Sequence, residues 1–136
     1  MNTMKTKKSI ILLSSGLDSA VSLALLKESY NIKLALTFDY GQKAAKKELE
    51  ASKKLCDYYQ TEQKILSINW LKDITKTSLL NEEENIPAPD IEEIDNIDKS
   101  VKTAQNVWVP NRNGLFLNIA ASFADADNFT HIIFGA

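Results

Sequence analysis

The run Ile10-Ile11-Leu12-Leu13 stops at Ser14-Ser15-Gly16, and after Asp18 a second apolar pattern begins with a different period. This switch limits the fold more than any other feature of the chain. A short, continuous, β-branched-rich run bounded by serine and glycine reads as a strand buried on both faces, over residues 8–14. Such a strand needs parallel neighbours and helices on both sides. Residues 19–30 supply the first helix, with Ala20, Leu23, Ala24 and Leu26 at helical spacing. The rhythm then repeats. Residues 32–40 read as the next buried strand. Residues 42–60 read as an amphipathic helix with Ala45, Leu49, Ser52, Leu55, Cys56 and Tyr59 on one stripe, and residues 63–70 as a third strand. This alternation predicts right-handed βαβ units on a parallel sheet, an α/β fold with its ligand site outside the carboxyl ends of the strands.

Over residues 81–106 the rhythm fails. Pro87, Pro89 and eight acidic residues between Glu82 and Asp98, with no basic one, predict a long acidic loop. Helical spacing resumes over residues 111–127 through Leu115, Ile119, Ala120 and Phe123, and residues 131–136 read as a fourth strand. The 136 residues suit one domain with one core, residues 1–136. The chain stops at a strand's carboxyl end, where a functional loop belongs, so a truncated form is expected.

Composition narrows the function classes. A net charge of −2 leaves no global electrostatic footprint for nucleic acid. No apolar run nears the roughly 20 residues that span a bilayer. The basic start is followed by too short an apolar stretch for a signal peptide. Cys56 is the only cysteine, which excludes an intrachain disulfide and a cysteine zinc cluster. The cytoplasm is the expected location.

The seam between the first strand and helix has the parts of an anion cradle. The first turn of a helix carries unpaired N–H groups and partial positive charge. Small residues let phosphate oxygens approach, and Ser14, Ser15 and Ser19 add hydroxyls. Gly16 adds conformational freedom and no side-chain obstruction. Asp18 would repel a phosphate, so it either caps the helix or helps hold a Mg²⁺ that bridges phosphates. The plain alternative is a capped helix after a strand. There is no Walker A lysine and no G-x-G-x-x-G fingerprint, since the four glycines stand at 16, 41, 114 and 135.

Here the residues resemble a known family. Ser14-Ser15-Gly16-Leu17-Asp18-Ser19 is similar to the S-G-G-x-D-S pyrophosphate loop (PP-loop) of the N-type ATP pyrophosphatases. Ser15 stands where the second glycine is usual. Phe38-Asp39-Tyr40-Gly41-Gln42 and Val109-Pro110-Asn111-Arg112-Asn113, the latter continuing through Phe116-Leu117 to Ala124, resemble segments of the 7-cyano-7-deazaguanine synthases of queuosine precursor synthesis. Ile86 to Asp90 sits between them at a fitting place. Lys43-Ala44 replace the family's Arg-His, and Asn111 replaces a glycine, a swap that asparagine's tolerance of left-handed angles makes mild. The resemblance covers the N-terminal part of the family's usual length. The family's C-terminal part, with its zinc-binding cysteines, has no counterpart here.

The resemblance implies a Rossmann-like, adenine nucleotide alpha-hydrolase-like fold with the loop after the first strand. It implies a ligase that uses ATP and Mg²⁺ to turn 7-carboxy-7-deazaguanine and ammonia into 7-cyano-7-deazaguanine, with this chain alone inactive. Leu13, Ser14, Ser15, Gly16, Leu17, Asp18, Ser19, Ala20 and Phe38 would bind ATP, and Asp18 would reach the Mg²⁺ indirectly. Tyr40, Gln42, Arg112 and Asn113 would bind the substrate, and Asp18, Ser19 and Arg112 would serve the chemistry. Arg112 is the only arginine beside fifteen lysines, and its planar fork suits phosphate or carboxylate. The family suggests a homodimer, small-molecule substrates, and no nucleic-acid or membrane partner. Two other readings stay open: a tRNA-thiolation or amidotransferase-type ATP pyrophosphatase, and a truncated nucleotide-binding module without activity. Cys56 and His131 read as structural, and Trp70 and Trp108 as packing anchors.

Overall fold

The computed structural model describes residues 7–14, 16–75 and 109–135. Its elements run β1 (Lys8–Leu12), α1 (Leu17–Leu26), β2 (Asn31–Asp39), α2 (Ala45–Tyr58), β3 (Glu62–Ser67), α3 (Leu71–Ile74), α4 (Arg112–Asp127) and β4 (His131–Ile133). The strands form one sheet in the order β3-β2-β1-β4, and every pairing is parallel. The expected α/β fold is therefore present. The expected acidic loop at 81–106, the stretch Ile86 to Asp90, Trp108 and Ser15 lie outside the described residues.

Side chains alternate across the sheet, and each set finds its own core. Ile10, Leu34, Leu36, Phe38 and Tyr40 pack with Ala120, and Leu115, Phe116, Ile119 and Phe123 of α4 close over them. On the opposite face Ile11, Leu13, Ile32 and Ala35 meet Leu23 of α1 and Cys56 of α2. Helices on both faces are what let the central residues of β1 and β2 be apolar on both sides. β3 lies at the sheet's edge, and Glu62, Lys64 and Ile65 on it are exposed.

Several boundaries differ from the sequence reading, each for a local reason. The first helix stops at Leu26, where Ser29 and Tyr30 both donate to Leu26 O and turn the chain toward β2. Only Leu23 of its expected apolar set is fully buried, and Ala24 is exposed. The second helix begins at Ala45, because Gln42 turns back to the end of β2. It ends at Tyr58, with Gln60 left-handed at φ 54°. β4 spans three residues, and Phe134 and Gly135 leave the sheet. Trp70 is no packing anchor: it is half exposed, and Leu71 beside it fills the core. Asn111 is left-handed, at φ 46°, as its residue type foretold.

His131 opens β4, edge-on to Tyr30. Burial pushes the Cys56 thiol up to about 11, with Asp57 adding to the effect and Lys27 opposing it. A folded value above the unfolded one, about 8.5, leaves the thiol's contribution whole below pH ~8.5 and removes it as pH rises toward the folded value. Stability is therefore expected to fall by about 1 kcal/mol between pH ~7 and ~9.5 through this group alone. The check is urea unfolding at both pH values, where Cys56→Ala should lose that increment.

Candidate functional site

A cavity of about 310 Å³ opens at the carboxyl ends of the strands. Leu12, Leu13 and Ser14 at the end of β1 and Thr37, Phe38, Tyr40 and Gln42 at the end of β2 form one side. Gly16 and Ser19 at the start of α1, Glu48 of α2, Arg112, Asn113, Phe116 and Leu117 of α4, and Phe134 and Gly135 after β4 form the rest. The chain runs from β1 outward to β2 and β3, then places β4 on the other side of β1. The cavity thus lies at the point where strand order reverses, the usual ligand crevice of an open parallel sheet.

The seam after β1 is tied by its own hydroxyls. Ser19 is buried, and its Oγ accepts the Ser14 N–H at 3.1 Å. The same hydroxyl lies 3.0 Å from Ser14 O and 3.2 Å from Gly16 O. Ser14 Oγ accepts the Gly16 N–H at 3.1 Å. The expected freedom of Gly16 is not used, since its φ of −67° is open to any residue. What the glycine spares is space: a Cβ there would stand 3.1 Å from Ser14 Oγ. No side chain caps α1, so the capping role considered for Asp18 is not taken up; Asp18 is exposed in the first turn. Ala20 is the first residue to bond back, onto Gly16 O. The N–H groups of Leu17, Asp18 and Ser19 precede it and have no partner in the helix, which leaves them for an anion. Gly135 closes this end, because a Cβ on it would lie 2.9 Å from the Asp18 carbonyl carbon.

At the end of β2 the chain turns through Gly41, at φ 85°, with Asp39 Oδ1 accepting the Gly41 N–H. Gln42 is buried, and its amide serves the protein. Its Oε1 accepts the Tyr40 N–H at 3.0 Å, and its Nε2 donates to Phe38 O at 3.2 Å and to Glu48 Oε2 at 2.9 Å. Both amide N–H donors are thus committed away from a ligand. Phe38 stacks on Phe116 of α4 at 3.9 Å between centroids and 5° between planes. Tyr40 leans on the same ring at 5.6 Å.

Arg112 is the first residue of α4, just after left-handed Asn111, whose carbonyl accepts the Leu115 N–H. The Tyr40 phenol lies within electrostatic reach of the Arg112 guanidinium. Burial raises the Tyr40 pKa, Arg112 pulls it back, and the Glu48 charge adds to the rise. The phenol is therefore neutral near pH 7 and keeps its O–H as a donor. Arg112 and Tyr40 line the same cavity, the charge of one beside the phenol of the other. A guanidinium carries five donors, so this one faces the cavity with most of its capacity unspent.

Of the residues singled out from sequence, Leu13, Ser14, Gly16, Ser19, Phe38, Tyr40, Gln42, Arg112 and Asn113 line one cavity. Leu17, Asp18 and Ala20 sit in the first turn of α1 beyond its walls, with the Leu17 side chain 77% exposed. Sequence reasoning missed Leu12, Thr37, Glu48, Phe116, Leu117, Phe134 and Gly135. Phe116 stood in a recognised segment but was given no role there. Glu48 read as one more charge on a solvated helix face, and no local pattern marks it otherwise. Among the described residues no group of three or more His, Cys, Asp or Glu could hold a metal ion, and no helix is long and apolar enough to cross a membrane.

Comparison with known proteins gives a consistent result. The family model described as "Queuosine biosynthesis protein QueC" matches residues 8–136. A protein of Methanosarcina mazei named 7-cyano-7-deazaguanine synthase is 49% identical over 131 residues, which cover 94% of this chain and 57% of that protein. Proteins of the same name from Desulforamulus reducens and Bdellovibrio bacteriovorus are 51% and 52% identical, covering 86% and 90% of this chain and 51% and 53% of theirs. The chain spans about half the length of the curated relatives it matches.

Proposed function

Because the chain belongs to the queuosine biosynthesis protein QueC family, we propose that it carries the nucleotide- and carboxylate-holding part of a 7-cyano-7-deazaguanine synthase. The observation that carries this reading is one cavity shared by the unpaired first-turn amides of α1 and by a guanidinium with unspent donors. Both suit anions, and a 7-carboxylate and a polyphosphate are the two anions of the reaction.

In this reading the amides of α1, the tied Ser14 and Ser19 hydroxyls, and Ser15 hold the pyrophosphate end of ATP. Leu13 and Phe38 supply the apolar wall beside the nucleotide. Asp18 is the acidic residue of that turn, so Mg²⁺ is held by the nucleotide's phosphates and reached by Asp18 indirectly. Arg112 pairs with the substrate carboxylate, Tyr40 and Asn113 offer donors beside it, and Gln42 shapes the wall. The carboxylate attacks the α-phosphorus, pyrophosphate leaves, and an acyl adenylate forms. Ammonia then displaces AMP to give the amide, and a second activation by ATP removes its oxygen to give the nitrile. The chain's contribution is positioning and charge neutralisation. The family's zinc does not fit these residues, since Cys56 is the only cysteine and is buried on the inner face of α2.

Calorimetry of the 136-residue chain with Mg·ATP tests the reading. Binding should weaken about tenfold in Ser19→Ala, where the Ser14 N–H loses its acceptor, and also weaken in Asp18→Ala. Affinity unchanged by Ser19→Ala would sink the nucleotide site. Binding without turnover of 7-carboxy-7-deazaguanine and ammonia would leave a nucleotide-holding module.

A further inference from the structure

We propose that Glu48 is a positioning residue of this site: it locks the Gln42 amide in one orientation and thereby fixes the place of Tyr40. Its consequence for a substrate rests on the function proposed above; the lock itself rests on geometry alone.

A primary amide has a donor end and an acceptor end of nearly equal shape, so its orientation must be set by its partners. Here three partners agree. The Tyr40 N–H needs an acceptor, while Phe38 O and Glu48 Oε2 need donors. A flipped amide would set like against like at all three. The bond to Glu48 is the shortest of them, at 2.9 Å, and the one assisted by charge. It is also the one that ties the amide to another element, since Glu48 lies in the first turn of α2 and donates its own N–H to Ala44 O. The lock therefore clamps α2 to the end of β2 across the Gly41 turn. Gln42 is buried, so water cannot replace a lost partner at low cost. Tyr40 follows Gln42 through its backbone N–H, and its phenol lies beside the Arg112 charge. Glu48 thus reaches the anion-facing guanidinium through Gln42 and Tyr40, without itself touching the reacting atoms.

The test compares Glu48→Gln with Glu48→Ala in the 136-residue chain. A glutamine carbonyl still accepts from the Gln42 amide, whereas alanine cannot. Without any ligand, hydrogen exchange of the assigned Gln42 Nε2 protons should stay within about threefold of wild type in Glu48→Gln and quicken about tenfold or more in Glu48→Ala. With 7-carboxy-7-deazaguanine, Kd should rise about tenfold in Glu48→Ala and recover in Glu48→Gln, at melting temperatures within a few degrees of each other. Exchange unchanged in Glu48→Ala, or quickened equally in Glu48→Gln, overturns the lock. Exchange that follows the expected pattern while wild type itself fails to bind the compound upholds the lock and removes the substrate assignment instead.

Discussion

Replacing Arg112 with alanine will weaken binding of the carboxylate substrate about 100-fold and leave the fold nearly as stable as before. Arg112 is half-buried, and its charge lies beside the Tyr40 phenol. Removing it strands no buried protein carboxylate, so the stability cost is that of one ordinary polar contact at most, about 1 kcal/mol. The ligand loses much more. Truncating one side of a desolvated charge pair costs about 2–5 kcal/mol, and the partial exposure of Arg112 argues for the lower half of that range. Arg112→Lys should fall between, since it keeps the charge and loses the fork. Calorimetry with 7-carboxy-7-deazaguanine and, separately, with Mg·ATP shows which anion Arg112 holds. A second readout needs no ligand. Arg112 lowers the Tyr40 pKa against the effect of burial, so tyrosinate absorbance in Arg112→Ala should show one phenol moved further up. Affinity for both ligands unchanged in Arg112→Ala would remove this residue from the site.

Phe116→Ala is expected to cost about 3 kcal/mol, the low end for deleting a buried aromatic ring, because Phe116 is half-buried. Its ring stacks on Phe38 and supports Tyr40, so it joins α4 to the end of β2 and forms cavity wall at once. For a chain of this size the loss corresponds to a fall in melting temperature on the order of 10 °C. Phe116→Leu should lose about 1 kcal/mol, since most of the volume stays. Thermal unfolding followed by circular dichroism decides the point. A loss in Phe116→Ala under about 1 kcal/mol would mean that α4 is held elsewhere and that the stacked pair is incidental. The same variant should also bind substrate less well, because Tyr40 loses the ring against which it is set.

The two predictions differ in how visible their residues were. Arg112 stood out as the only arginine, inside a recognisable segment and at a helix start. Phe116 lay in the same segment but was given no role there, and only the packed structure shows it serving core and cavity together. Glu48 carried no signal at all. Its six-residue separation from Gln42 matters only because the chain doubles back at Gly41. Trp70 was misread for a related reason: adjacent Leu71 takes the inward position and the indole is left outside.

The sequence by itself determined the alternation of strand and helix, the parallel sheet and the end of the sheet that holds the site. It did so because the period of apolar residues and the glycine and serine at the seam are local properties, readable wherever the chain goes next. It also settled the left-handed turn at Asn111, since that depends on one residue's own steric allowance. The tertiary structure alone decided that Ser19 ties the seam, that Gln42 faces inward to Glu48, and that Gly135 closes on Asp18. Those outcomes depend on which groups the path of the chain brings within 3 Å or so of one another. Hydrogen-bond partners are chosen by distance and direction, and neither is written in the spacing of residues along the chain.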